Sequence, residues 1–262
     1  MKNIRLLWII SLAVLAAFIW LRAQGLMQDA ADTIPVLAAL PFYLWLARPW
    51  IWRREPLPGK NWPAQLAVFL LLAGVVLDLT LLLALSWCLF LYVFLHSHVE
   101  KFQRRLLLLP LLAFPWISTD LPALGWWFRF SGAAAAEALF TTAGFHVQRE
   151  GTFLVVQGLP LAVDAACSGL NVLQALLIAG FAVVYLKVPA GIRFWSCLAC
   201  LGPLAWLANT ARILTLGIAA LSFGSEFAMG WFHQWGGWLV LCVMFLLCQW
   251  FFGNFCNDRA AT

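Results

Sequence analysis

Charged side chains are scarce in this chain. Lys, Arg, Asp and Glu make up 10% of its 262 residues, where a soluble domain carries about 25%. That shortage excludes an ordinary water-soluble globule. With 64% hydrophobic residues and a mean hydropathy of +0.91, the composition is that of a polytopic membrane protein whose core is shared with lipid. Acidic residues are the rarer sign, 11 against 16 Lys and Arg, for a net charge of +5. The cations lie between apolar runs instead of clustering on one soluble face, so no nucleic-acid partner is expected. A regular cysteine framework is also missing. The seven Cys are irregularly spaced and exclude a secreted disulfide scaffold. Six of them (Cys88, Cys197, Cys200, Cys242, Cys248, Cys256) lie in or beside apolar segments, where Cys acts as a small buried hydrophobe. There is no internal repeat, no long linker and no separate soluble domain. Nor is there a good small-x-small cleavage site. Lys2 and Arg5 precede an apolar run, Leu6 to Leu21, that resembles a signal peptide, but it exits through Leu21-Arg22-Ala23-Gln24. The run is therefore expected to stay as a first span.

Long apolar runs are what the chain has in plenty, at about 6–21, 34–47, 64–77, 79–95, 106–118, 170–186, 194–222 and 237–253. The fold class expected is an all-α polytopic membrane protein with about eight transmembrane helices. The runs on either side of Asp78 read as two short helices joined by a tight turn, with one long bent helix as the alternative. Lys and Arg counts favour the turn. With the N-terminus inside, Lys2, Arg5, Arg48, Arg53, Arg54, Lys60, Lys101, Arg104, Arg105, Lys187, Arg193 and Arg259 all fall on the inner side. That is 12 of the 16 cations, a clear positive-inside bias. Both termini are then cytoplasmic, and the expected location is the cytoplasmic (inner) membrane.

Residues 121–145 are too polar and aromatic for an easy further span. Trp126, Trp127, Phe128 and Phe130 lead into Ala133 to Ala136, with Arg129 and Glu137 embedded. Trp clusters favour the headgroup level, so this segment reads as an interfacial or re-entrant amphipathic helix on the outer face. Residues 145–164 carry turn signals at Glu150-Gly151 and Gln157-Gly158, with strands expected at 153–156 and 161–163. This small β-hairpin is expected to cap the outer surface, since a bare backbone edge cannot sit in lipid. The whole of 1–262 reads as a single membrane domain. Residues 1–118 supply five spans, 119–165 the extracytoplasmic helix and hairpin, and 166–262 a three-span core.

Three polar groups converge on the outer side in this topology. Cys167, in Asp164-Ala-Ala-Cys167-Ser168-Gly169-Leu170, stands where the hairpin ends and the sixth span begins. A Cys at a helix N-terminus meets unpaired N–H groups and the positive end of the dipole, and both favour thiolate. Ser168 and Gly169 allow close backbone approach and could offer amides to an oxyanion. The bland reading, a small residue at a tight helix start, carries even weight for this segment alone. Arg212, in Asn209-Thr-Ala-Arg212-Ile213, interrupts an apolar run from Phe194 to Phe223. Nineteen residues beyond Arg193, it lies about 28 Å farther along the helix, near the outer boundary. Asn209 is on the same face. A guanidinium there can stabilise a thiolate, an oxyanion or a carboxylate, or simply snorkel to headgroups. His233, in Trp231-Phe-His233-Gln-Trp235, sits just before the last span. His moves protons near neutral pH, although an interfacial His within an aromatic belt is the commoner case. Asp164 could orient His233, hold Arg212 or cap a strand end.

The order Ala-Cys-Ser-Gly-Leu (166–170), Asn-x-x-Arg-Ile (209–213) and His before a final span resembles the exosortase/archaeosortase family over roughly 121–253. The resemblance implies an integral membrane protein of about eight spans that cleaves C-terminal, membrane-anchored sorting signals such as PEP-CTERM tails of exported proteins. It implies a cysteine peptidase or transpeptidase with Cys167 as nucleophile, Arg212 as stabilising cation and His233 as acid/base. Ser168, Gly169, Asn209 and Asp164 are then the surrounding binding or positioning residues. The partners implied are the bilayer and a substrate with its own transmembrane tail. No metal or cofactor is expected.

Other functions fit single features. An export component for a polysaccharide or lipid-linked sugar would use the outer Trp cluster and not Cys167. A membrane thiol oxidoreductase would use Cys197-x-x-Cys200, which lies near the inner face with no local cation. A non-catalytic assembly partner would need none of these residues. His96, His98 and Glu100 have metal-ligand character, but their basic loop, with Lys101 and Arg104, favours solvated side chains.

Overall fold

In lipid an apolar run can satisfy its backbone only as a helix or a closed barrel, and the protein is mostly helical. The computed structural model describes residues 2–23, 36–57, 61–162 and 170–255. It divides into two units, 1–120 and 121–262. Three helices are long and apolar enough to cross a membrane: Asn3–Arg22, Thr80–His98 and the nearly continuous Ile192–Phe223. Shorter apolar helices occupy Trp62–Leu77, Leu173–Lys187 and Cys242–Gly253.

The first unit holds α1 (Lys2–Arg22), α2 (Ala39–Leu46), α3 (Trp62–Leu77), α4 (Thr80–His98), α5 (Leu108–Leu112) and α6 (Trp116–Asp120). The Asp78 turn exists. Asp78 adopts a left-handed conformation at the end of α3 (φ 53°, ψ 41°), and α4 starts two residues later. The helices fold back closely because Gly74 has no side chain: a Cβ there would stand 2.8 Å from Leu83 Cδ2. The fifth apolar run is broken into a 3-10 turn (Arg104–Leu107), α5 and α6. Pro110 and Pro115 lack the N–H that an unbroken helix needs. The broken chain still retraces α4. The Arg104 guanidinium lies over Tyr92, Cys88 Sγ reaches the Leu107 carbonyl, and the Trp87 and Phe114 rings meet at 5.3 Å. At the far end the Asp120 carboxylate accepts from the Thr80 and Leu81 amides at 3.1 and 2.6 Å. It thereby satisfies two of the unpaired N–H groups that begin α4. The Trp87 indole donates to the Leu12 carbonyl at 2.7 Å and ties α1 to α4.

The two ends of this unit differ in charge. At one end Arg5 donates to the Arg53 carbonyl, and Arg53 donates to the carbonyls of Val99 and Glu100. Backbone bonds there join residues 51–57 to 97–100. At the other end Arg22 pairs with Asp78 at 2.7 Å, beside the Asp120 cap. His98 departs from the solvated side chain expected of its loop. It is buried, with Nδ1 3.0 Å from the Phe94 carbonyl and its ring against Phe94.

The second unit holds α7 (Pro122–Thr142), strands β1 (Val147–Glu150), β2 (Phe153–Val156) and β3 (Leu159–Ala162), then α8 (Leu170–Lys187), α9 (Ile192–Ala199), α10 (Leu201–Phe223), the single turn α11 (Ser225–Phe227) and α12 (His233–Phe255). The expected hairpin gains a strand: the sheet is an antiparallel meander in the order β1-β2-β3. Both turn signals hold, with positive φ at Gly151 (65°) and at Gln157 and Gly158 (51° and 81°). Two consecutive positive φ values match the primed turns whose twist suits a hairpin.

The Trp-rich segment is a 21-residue helix, α7, that lies along α10. The Trp206 indole donates to Ser131 Oγ at 2.9 Å. A Cβ at Gly132 would meet Ile213, Thr210 and Asn209, and one at Gly217 would meet Phe140 at 2.6 Å. These contacts advance together along both chains, so the helices run parallel here. The small buried residues Gly132, Ala133 and Ala136 permit the approach. Ala133, Ala136 and Phe140 of α7, Leu154 and Val156 of β2, Leu161 of β3 and Ile213, Leu216, Ala219 and Ala220 of α10 form one core, which also takes in Ala228. Arg149 pins β1 to α7 through Glu137 and lies 5.2 Å over the Phe130 ring.

Candidate active site

Asp164, Cys167, Ser168 and Gly169 lie outside the described residues, which stop at Ala162 at the end of β3 and resume at Leu170 at the start of α8. The level of that start can be read from its neighbours. A Cβ on Gly180 of α8 would come within 2.5 Å of Leu201 Cδ2 of α10, so these two residues touch. Lys187 ends α8 and α9 starts at Ile192. The short link makes α8 and the α9–α10 rod antiparallel neighbours. Ten residues back from Gly180 is Leu170; ten forward from Leu201 is Ala211. At about 1.5 Å per residue both lie about 15 Å from the contact. Leu170 is therefore level with Asn209 to Arg212.

Arg212 lies on the same stripe of α10 as Leu201. Leu201, Ala205, Ala208, Leu216 and Ala219 are all buried on α10. Their spacing with Arg212 follows the three- and four-residue steps of one helix stripe. Leu201 meets α8 at Gly180, while Leu216 and Ala219 pack in the core with α7 and the sheet. Arg212 itself is half-buried, and its carbonyl accepts from Thr215 Oγ1 at 3.0 Å. So Arg212 lies level with the start of α8.

Asn209 lies between this stripe and the α7 side. It is fully buried, and neither its carboxamide oxygen nor its nitrogen has a hydrogen-bond partner among the described residues. A buried amide left so costs about 1–3 kcal/mol. Its Nδ2 is 3.9 Å from the place a Gly132 side chain would occupy. Thr210 bonds back to the Trp206 carbonyl, and Trp206 reaches Ser131, so the polar side chains beside Asn209 are already engaged. Sequence reasoning assigned no role to Gly132 or Ser131. Their signal was the small-residue run in α7, which read as amphipathic rather than as a contact face.

His233 opens α12, after a π-type turn (Ala228–Phe232) with non-helical backbone at Gly230 (φ −89°, ψ −108°). Ala228 and Phe232 pack in or against the core around Leu216 to Ala220. Val240, Met244, Cys248 and Phe252 are buried at four-residue steps. Position 233 precedes Val240 by seven residues and so falls on the same side of α12. This helix packs along both α8 and α10.

Among the described residues no group of three His, Cys, Asp or Glu is gathered for a metal. Cys197 is on α9 and Cys200 is exposed at its junction with α10, twelve residues from Arg212.

No curated protein and no solved structure matches the chain. A family model described as transmembrane exosortase matches residues 6–250, nearly all of it. The match takes in both units and the whole Asn209-to-His233 segment, and on that evidence the chain belongs to the transmembrane exosortase family.

Proposed function

We propose that this protein is a membrane-embedded cysteine transpeptidase or peptidase that processes C-terminal, membrane-anchored sorting signals of exported proteins, of the PEP-CTERM kind. Family membership over residues 6–250 supports the class of reaction. The observation that supports the site is the shared level of Arg212 and the start of α8, read from the Gly180–Leu201 contact.

In this reading the protein sits in the inner membrane with about eight spans, forms one functional domain, and opens its site to the extracytoplasmic side. The substrate is held by its own transmembrane tail, which confines the scissile bond to the plane of the site and removes much of the entropy cost of docking. The Cys167 thiolate attacks the scissile carbonyl carbon. Arg212, with amides near Ser168 and Gly169, stabilises the oxyanion as charge develops. The carbon–nitrogen bond then breaks, and His233 gives its proton to the departing amine. The thioester left on Cys167 passes its acyl group to an acceptor amine, forming a new amide, or to water, forming an acid. The attacking amine or water gives up its proton to His233, and either route returns the thiolate and the protonated imidazole. Asn209 supplies a donor and an acceptor to the bound peptide, and Asp164 orients the imidazole or the guanidinium.

The test is co-expression with a tagged substrate carrying a transmembrane tail. Cys167→Ala is expected to leave the substrate full-length. Processing at the normal rate by that variant would remove the mechanism. Arg212→Lys keeps the charge but loses the planar fork, and is expected to slow processing by at least about tenfold.

A further inference from the structure

We propose that the cleavable segment of the substrate binds as a fourth strand on the free edge of β3, and that this edge delivers it to the site. The proposal rests on the reading above for the nature of its occupant.

The turn fixes which backbone groups are free. Gln157 and Gly158 form a two-residue turn, with Val156 paired to Leu159 and Leu154 to Leu161. In such a hairpin the pair flanking the turn exchanges both hydrogen bonds, and pairs then alternate. Leu159 and Leu161 therefore direct their amides and carbonyls toward β2. Pro160 and Ala162 direct theirs away from it. The sequence agrees with this register, for Pro160 has no N–H and is tolerated only where none is needed by the ladder. The outer edge of β3 then offers the Pro160 carbonyl and both backbone groups of Ala162. No backbone bond reaches these groups among the described residues, and Pro160 is exposed. The opposite edge strand is held differently, with β1 pinned to α7 by Arg149 and Glu137.

Position selects the occupant. Leu161 is buried, and it packs 3.4 Å from where a Gly217 side chain would stand on α10. Arg212 is five residues, about 7.5 Å, farther along the same helix. β3 ends five residues before Cys167. An extended chain laid along this edge continues toward the level of Arg212 and the start of α8. Pairing with a sheet edge takes affinity from main-chain bonds and specificity from alternate side chains. It also explains how an open edge of only four residues is kept: it is short enough to resist self-pairing, yet long enough to orient a peptide.

The experiment uses the full-length protein in bilayer nanodiscs and peptide aldehydes of about nine residues. Their sequence ends at the mapped cleavage site of a substrate that the protein processes. The aldehyde takes the Cys167 thiol reversibly as a hemithioacetal, and binding is read as protection of Cys167 from maleimide. Backbone N-methyl groups are introduced one residue at a time. Strand pairing predicts that protection weakens about tenfold at every second position and is unchanged between them. Ala162→Pro, which removes an N–H outside the native ladder, is expected to weaken the unmethylated peptide by a similar factor while maleimide labelling without peptide stays normal. Protection with no two-residue alternation overturns the strand proposal and leaves the catalytic reading standing. No protection of Cys167 by any aldehyde removes both.

Discussion

Asn209 has a carboxamide whose two polar atoms are buried and unpartnered among the described residues, one helical turn from Arg212. Groups of this kind in a folded protein call for a reason, because an apolar side chain of the same shape avoids the cost. If the amide is kept for the substrate peptide, function and stability separate. Asn209→Leu, of similar volume, is expected to leave the thermal midpoint in detergent unchanged or raise it, by up to about 2 kcal/mol equivalent. Processing of a co-expressed substrate is expected to fall at least about tenfold. A variant that loses stability and activity together would assign Asn209 to packing against Gly132. Residues of this kind were partly legible in the sequence. Arg212 and Asn209 stood out because a polar pair inside an apolar run is costly in lipid. The burial of His98 did not, since its basic neighbours pointed to solvent, whereas the residue closes α4 with its ring one helical turn from Phe94.

Helix contacts set the geometry on which the site depends. α8 and α10 touch where Gly180 meets Leu201, and a Cβ there would come within 2.5 Å of a leucine methyl. Gly180→Val is expected to cost about 1–3 kcal/mol by overpacking. It should also slow processing by shifting the start of α8 relative to Arg212, while Gly202→Ala, at a position with open space around it, should do neither. In the first unit, Asp120 caps α4 from a distant part of the chain. Asp120→Ala is expected to lower stability by about 1–2 kcal/mol, the usual value of a lost helix cap, without changing the reactivity of Cys167. The Asp78 turn and both sheet turns could be read from sequence because Asp, Gln-Gly and Glu-Gly signals act locally. The broken fifth run and the third strand could not be read so directly. Pro110 and Pro115 interrupt a run whose apolarity alone resembles a span. β1, with Gln148, Arg149 and Glu150, has too little apolar character to announce a strand, and it gains that state by pairing with β2 and by the Arg149–Glu137 bridge.

At the scale of the whole molecule, the distribution of Lys and Arg predicts which ends of the helices face the cytoplasm. Within the first unit the ends already differ, with Arg5 and Arg53 at one and the Arg22–Asp78 pair and Asp120 at the other. In spheroplasts, single cysteines introduced at Asp78 and Gly158 of an otherwise cysteine-free chain are expected to react with a membrane-impermeant maleimide, and ones at Lys101 and Ala190 only after lysis. Reaction at Lys101 before lysis would reverse the orientation of α4. The class of the molecule was legible from composition and from three short motifs. What sequence could not supply was α7 lying along α10, because an amphipathic helix reads alike whether it meets headgroups or another helix.

The central claim is that Cys167 becomes acylated by the substrate beside Arg212. Full-length protein mixed with a membrane-anchored substrate, quenched in acid within a turnover and digested for mass mapping, tests it most directly. The account predicts a hydroxylamine-labile thioester on the peptide containing Cys167, carrying the substrate fragment upstream of the scissile bond, and less of it in Arg212→Lys. Substrate turnover without that adduct, or an adduct on Cys197 or Cys200 instead, would contradict it.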